Sequence, residues 1–64
     1  MTENMKEWLR SLYEEAVEDH KIAASNERLW SLGSDNDEQA IMHMENAKEH
    51  WEFIDILNEM IEEI

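Results

Sequence analysis

The 64-residue chain contains no cysteine, no proline and one glycine, Gly33. Without cysteine there is neither a disulfide framework nor a thiolate zinc site. The near-absence of proline and glycine favours long uninterrupted helices, and the scarcity of β-branched residues argues against strands. The longest apolar runs are three residues, such as Ile22-Ala23-Ala24. This excludes a membrane-spanning helix and the apolar segment of a secretory signal.

Cations are also few, with 5 Lys and Arg against 17 Asp and Glu and a formal net charge of −12. Affinity for nucleic acid and for anionic membranes comes mainly from basic contacts. We therefore expect no membrane binding, no direct nucleic-acid binding and a cytoplasmic location. There is no glycine-rich phosphate loop and no serine with an oriented base, because the four serines fall on polar or loop positions. We expect no enzymatic activity and no cofactor.

Helix-capping residues predict two helices with one turn between them. Asn4-x-x-Glu7 predicts a capping box at the start of the first helix, and Gly33 suits a left-handed position after its end. Asp35 lies three residues before Glu38, which predicts the N-terminal cap of the second helix. The chain is therefore expected to form a single helical-hairpin domain over residues 1–64. Its parts are a helix over about 4–32, a turn over 33–36 and a helix over about 36–63.

Apolar residues at helical spacing form a face on each predicted helix. In the first helix the face contains Met5, Trp8, Leu9, Leu12, Tyr13, Ala16, Ala23 and Trp30. In the second it contains Ala40, Ala47, Trp51, Ile54, Leu57, Ile61 and Ile64. Two helices bury each other on one side only, so the core is marginal without a staple. We expect an all-α fold, a two-helix antiparallel hairpin that forms a homodimeric four-helix bundle. The predicted dimer core is Leu9, Leu12, Trp30, Trp51, Ile54, Leu57 and Ile61.

Polar residues interrupt both apolar faces. In a hairpin that turns near residues 33–35, position i lies opposite about 68 − i, since the arms are antiparallel. Glu27 is then expected near His43, and His20 near His50. A metal-binding helical bundle that uses His20, Glu27, His43 and His50 is therefore an alternative function. The other interpretation is that these residues are buried polar pairs that fix the register.

The acidic residues are unevenly distributed. Residues 33–64 carry ten acids and one base, Lys48. Like-charged neighbours four residues apart, such as Glu45 and Glu49, destabilise a helix by about 0.2–0.5 kcal/mol per pair. Solubility alone does not require this arrangement, so the acidic residues are candidates for a binding role. The residues predicted to bind a partner are Glu38, Glu45, Glu49, Glu52, Asp55, Ile56, Glu59 and Glu63.

This pattern predicts a small acidic interaction protein that binds a basic surface of a larger protein. Phage or mobile-element inhibitors that mimic nucleic acid and block a nucleic-acid enzyme are one class with these properties. The simpler interpretation of the same residues is a solvated face.

A further alternative comes from the cations of the first helix. Lys6, Arg10, Lys21 and Arg28 are predicted to share its outer side. The chain length, the hairpin and the opening Asp37-Glu38-Gln39-Ala40 of the second helix resemble the Rop family of dimeric helical hairpins. That resemblance implies an RNA-binding dimer whose first helices contact RNA. Glu15 and Glu18 depart from it, since they fall where apolar layers are needed.

Overall fold

The structure is a computed structural model that describes residues 1–64. It contains two helices, α1 over Glu3–Leu32 and α2 over Asp37–Glu63, and no strands. They pack as an antiparallel hairpin with extents of 52 × 14 × 10 Å. The predicted all-α helical hairpin is thus confirmed. Neither helix is long and apolar enough to cross a membrane.

The N-terminus of α1 is capped by Thr2. Its backbone is extended, and its hydroxyl Oγ1 accepts a hydrogen bond from the Met5 amide at 3.2 Å. This bond satisfies one of the free amides of the first turn. The capping box predicted at Asn4 and Glu7 is wrong, because Thr2 already supplies the cap and both residues lie inside the helix.

Gly33 ends α1 in a right-handed conformation, with φ −90° and ψ 0°. The left-handed conformation predicted for it is therefore wrong. The Gly33 amide donates to the Leu29 carbonyl at 3.0 Å, and the Ser34 hydroxyl donates to the Trp30 carbonyl at 2.8 Å. These bonds satisfy terminal carbonyls that a left-handed glycine motif would otherwise serve.

Asn36 caps the N-terminus of α2. Its side-chain Oδ1 accepts hydrogen bonds from the amides of Glu38 at 2.8 Å and Gln39 at 3.4 Å. The cap predicted at Asp35 is wrong by one residue. Asn36 has the extended backbone that an N-cap needs and directly precedes Asp37, the first helical residue.

The buried residues form one line along each helix: Val17, Ala24 and Ser31 in α1, and Ala47 and Ile54 in α2. The Ser31 hydroxyl donates to the Ala40 carbonyl at 2.7 Å and so joins the two helices beside the turn. The placement of Ser31 on a polar or loop position is therefore wrong. Its side chain is small enough to lie between the helices, and it finds a carbonyl there.

A heptad describes the contact between the helices, and we call this contact the seam. Its a positions are Val17, Ala24 and Ser31 in α1 and Ala40, Ala47, Ile54 and Ile61 in α2. Its d positions are Tyr13, His20 and Glu27 in α1 and His43, His50, Leu57 and Ile64 in α2. All of these residues are buried or half-buried. The interhelical hydrogen bonds pair positions whose numbers sum to 70 or 71.

The apolar face predicted for α1 meets α2 only in part: Tyr13 lies in the seam, and the half-buried Leu9, Ala16 and Ala23 lie beside it. Trp8, Leu12 and Trp30 are 65%, 42% and 55% exposed. Small side chains at Ala24 and Ala47 occupy the middle of the seam, where a tryptophan would hold the helices apart. On α2 the predicted face is in the seam except for Trp51, which is 51% exposed.

The cap of α2 gives a direct test of the turn. Replacing Asn36 by Ala leaves two amides of the first turn without their acceptor. We expect Asn36→Ala to lower the free energy of unfolding by about 1 kcal/mol. Urea denaturation followed by circular dichroism measures this loss. Asp35→Ala is the matched control, and a control loss as large as that of Asn36→Ala would contradict the assignment.

Candidate functional site

Two polar pairs lie in the seam. The register brings Glu27 to His43 and His20 to His50, as the sequence predicts. The pairs occupy separate layers, since Glu27 and His20 are two helical turns apart, about 10 Å along the axis.

The Glu27–His43 pair is half-buried between the helices. His43 Nδ1 donates to Glu27 Oε2 at 2.5 Å, because a carboxylate can only accept. The two side chains are 22% and 15% exposed. The indole of Trp30 covers the imidazole of His43 at a ring separation of 5.8 Å. The pair therefore satisfies both polar groups while the aromatic ring limits access by water.

His20 and His50 face each other through their Nδ1 atoms, 2.8 Å apart. One ring must donate and the other accept, so at least one of the two is neutral in this arrangement. Phe53 stacks on His20 with a ring separation of 5.2 Å and an interplanar angle of 18°. The contact fixes the positions of both helices at the middle of the hairpin.

No group of three or more His, Asp or Glu side chains is arranged to hold a metal ion. The four residues of the metal-binding alternative form two pairs instead of one cluster. A single ion needs its ligand atoms within about 2 Å, which two pairs about 10 Å apart cannot provide together. Within one chain the geometry therefore does not bring all four residues to a single ion.

Eight of the nine acidic side chains of α2, all except that of Asp37 at its start, occupy the outer b, c and f positions, away from the seam. We call them the acidic stripe: Glu38, Glu45, Glu49, Glu52, Asp55, Glu59, Glu62 and Glu63. All eight are exposed. None of their carboxylates takes part in an ion pair, since the only ion pairs are Lys6–Glu3, Lys21–Glu18 and His43–Glu27. Lys48 is the only cation on this side of α2. The stripe therefore carries an uncompensated negative field.

Ile56 lies within the acidic stripe and is 53% exposed. A shallow hollow of about 290 Å³ is lined by Glu49, Glu52, Phe53 and Ile56. Two carboxylates thus flank an apolar floor. This arrangement suits a lysine or arginine side chain, whose stem is apolar and whose end is charged.

The cations of α1 do not form the outward patch predicted from the sequence. Lys6 and Arg10 are half-buried at the open end of the seam, whereas Lys21 and Arg28 are exposed. Lys6 and Lys21 are each 3.5 Å from a carboxylate of α1. The four cations therefore offer no continuous surface to RNA phosphates.

Two further surfaces were missed in the sequence. A groove of about 350 Å³ between the helices is lined by Arg28 and Lys48, with Met44 and Trp51 as apolar walls. On the other side of the seam the g positions are all uncharged. These are Leu9, Ala16, Ala23, Trp30, Gln39, Asn46, Phe53 and Met60, and we call them the uncharged face. A heptad assignment with the correct α1 register is the signal that identifies it.

The Glu27–His43 pair is testable by a double-mutant cycle. Glu27→Leu and His43→Leu each leave one half-buried polar group without its partner. We expect each single variant to lose roughly 1–3 kcal/mol of unfolding free energy, and the double variant to lose less than the sum. Urea denaturation of the four proteins measures the coupling. Additive losses would show that the two residues do not stabilise each other.

No protein-family model, no curated protein and no solved structure matches the chain. The acidic stripe is exposed and unpaired, and the uncharged face lies beside the seam.

Proposed function

We propose that the chain is a small acidic interaction protein that binds a basic surface of a larger protein through the acidic stripe. The observation that carries this proposal is that all eight stripe carboxylates are exposed and none is in an ion pair. Carboxylates in such an arrangement are free to pair with an approaching cationic surface. They also speed its approach through long-range attraction.

The spacing of charges along the acidic stripe supports mimicry of a nucleic-acid strand. From Glu38 to Glu63 the helix rises about 38 Å, so the eight carboxylates supply one charge per about 5 Å. A nucleic-acid strand carries one phosphate per about 3.4 Å. A rigid helix with this spacing can occupy a cleft that is lined for phosphates. The target class is therefore a protein that binds nucleic acid, and the inhibitor of a nucleic-acid enzyme is the form we favour.

Ile56 offers an apolar contact to the partner in addition to the ion pairs of the acidic stripe. Exposed ion pairs contribute only about 0.2–1 kcal/mol each, so affinity needs a desolvated anchor. The hollow between Glu49, Glu52, Phe53 and Ile56 provides an apolar floor between carboxylates. A basic side chain of the partner would place its stem on this floor.

Charge reversal at the centre of the stripe tests the proposal. In one variant Glu45, Glu49 and Glu52 become Lys, which moves the formal net charge from −12 to −6. We expect roughly a 100-fold loss of affinity, since three pairs of about 1 kcal/mol each are removed. The partner is captured from cell lysate, identified by mass spectrometry, and titrated with each variant.

The control variant reverses Glu7, Glu14 and Glu15 on α1 and has the same formal net charge of −6 (three charges reversed from −12). These carboxylates are exposed and form no ion pair. The control should keep the affinity of the unmodified chain, and duplex DNA should compete for the partner. Equal affinity of the two variants would mean that net charge alone matters and would contradict a role for the stripe.

A further inference from the structure

The two sides of the seam differ in charge. On one side, the eight g positions of the uncharged face carry no ionisable side chain. On the other side, the e positions of α1 are all charged: Glu7, Glu14, Lys21 and Arg28. Burial of a charge is costly unless it is paired, so only the uncharged face can be covered without that cost.

Contacts across the seam place both rows of g positions on the same side of the hairpin. Phe53 of α2 stacks on His20 of α1, and Trp30 of α1 packs against His43 of α2. In both contacts a g residue packs against a d residue of the opposite helix. The two rows form one continuous surface along the hairpin, with both polar pairs beneath it.

Large apolar side chains are exposed on this surface. Trp30 and Phe53 are both more than half exposed, and Met60 is 37% exposed. At the adjoining c positions Met5, Leu12 and Met42 extend the apolar area, whereas the exposed Asp19, Glu49 and Glu63 border it with charge. Large exposed apolar side chains with a polar border are typical of an interaction site.

The total surface of the hairpin is large for its mass. The accessible area is 5106 Å², whereas a compact monomer of 7.7 kDa has about 4300 Å². The excess of about 800 Å² equals the area that each partner contributes to a standard protein interface.

We propose that a second copy of this chain packs on the uncharged face, so that two hairpins form a four-helix bundle. The occupant is a second copy because a two-fold interface brings the same surface patch together with itself. In a chain of net charge −12, this side is the one that two copies can share without bringing like charges into contact. The bundle would cover both polar pairs at its centre and leave the acidic stripes outside.

This proposal does not rest on the partner proposed for the acidic stripe, because the stripe residues at the f positions lie opposite the seam. Phe53 belongs to both surfaces, since it also lines the hollow beside Ile56, whereas Met60 belongs to the uncharged face alone. Met60→Glu should therefore break the dimer and keep binding to the partner. Loss of the dimer and loss of partner binding are therefore separate outcomes.

The test is the mass in solution, measured by light scattering after size-exclusion chromatography at about 100 µM. The unmodified chain should have twice the mass of 7.7 kDa, about 15 kDa. Phe53→Glu places a carboxylate on the uncharged face, and it should give the mass of one chain at the same concentration. Met60→Glu should have the same effect. A loss of the helical circular dichroism signal in both face variants counts as loss of the dimer when the two control variants keep their signal.

Two control variants place the same charge elsewhere. Ile22→Glu lies on the outer side of α1, and Trp51→Glu lies on the charged side of the seam; both residues are exposed. Both should keep the mass of two chains. A single-chain mass for the unmodified protein would overturn the proposal. A dimer that survives both face variants, or one that either control breaks in their place, would overturn it equally.

Discussion

Close packing of two helices through small side chains is the constraint on which the rest of the structure depends. Ala24, Ser31 and Ala47 lie between the helices and are buried. Only Val17 and Ile54 are larger apolar side chains in the fully buried set. Such a seam brings the backbones together, but it removes little apolar surface from water. The large side chains, Trp30 and Phe53 among them, are consequently left on the flank of the hairpin.

The polar pairs within the seam then set how the helices align. A one-layer slip would separate His43 from Glu27 and His50 from His20, leaving half-buried polar groups without partners. The Ser31 hydrogen bond to Ala40 fixes the same register at the turn. If the seam contained only Ala and Val, the two helices could slide past each other more easily. The polar pairs therefore specify the register of the helices, which packing of small side chains specifies poorly.

The sequence predicts the hairpin well because its turn-forming residues are concentrated in one place, between Gly33 and Asn36, and because apolar residues of α2 recur at steps of three or four from Ala47 to Ile64. The pairing of Glu27 with His43 follows from that topology. The α1 side of the seam was predicted correctly only in part, because Trp8 and Trp30 contribute more hydrophobicity than Ala24 does.

Hydrophobicity measures the gain from burial and not the space available between two helices. The choice among Asn4, Thr2, Asp35 and Asn36 as caps depended on backbone angles that composition does not determine. The predicted acidic stripe lies on one exposed side of α2, since it follows from the helical period alone. Its binding role and the dimer remain predictions.

We propose that this hairpin is too thinly packed to be stable alone and that a second copy stabilises it. Thermal unfolding followed by circular dichroism at 5 µM and at 500 µM tests it most directly. If folding and dimerisation are coupled, this 100-fold change in concentration should raise the melting temperature by about 10 °C. A melting temperature that is the same at both concentrations would contradict the claim.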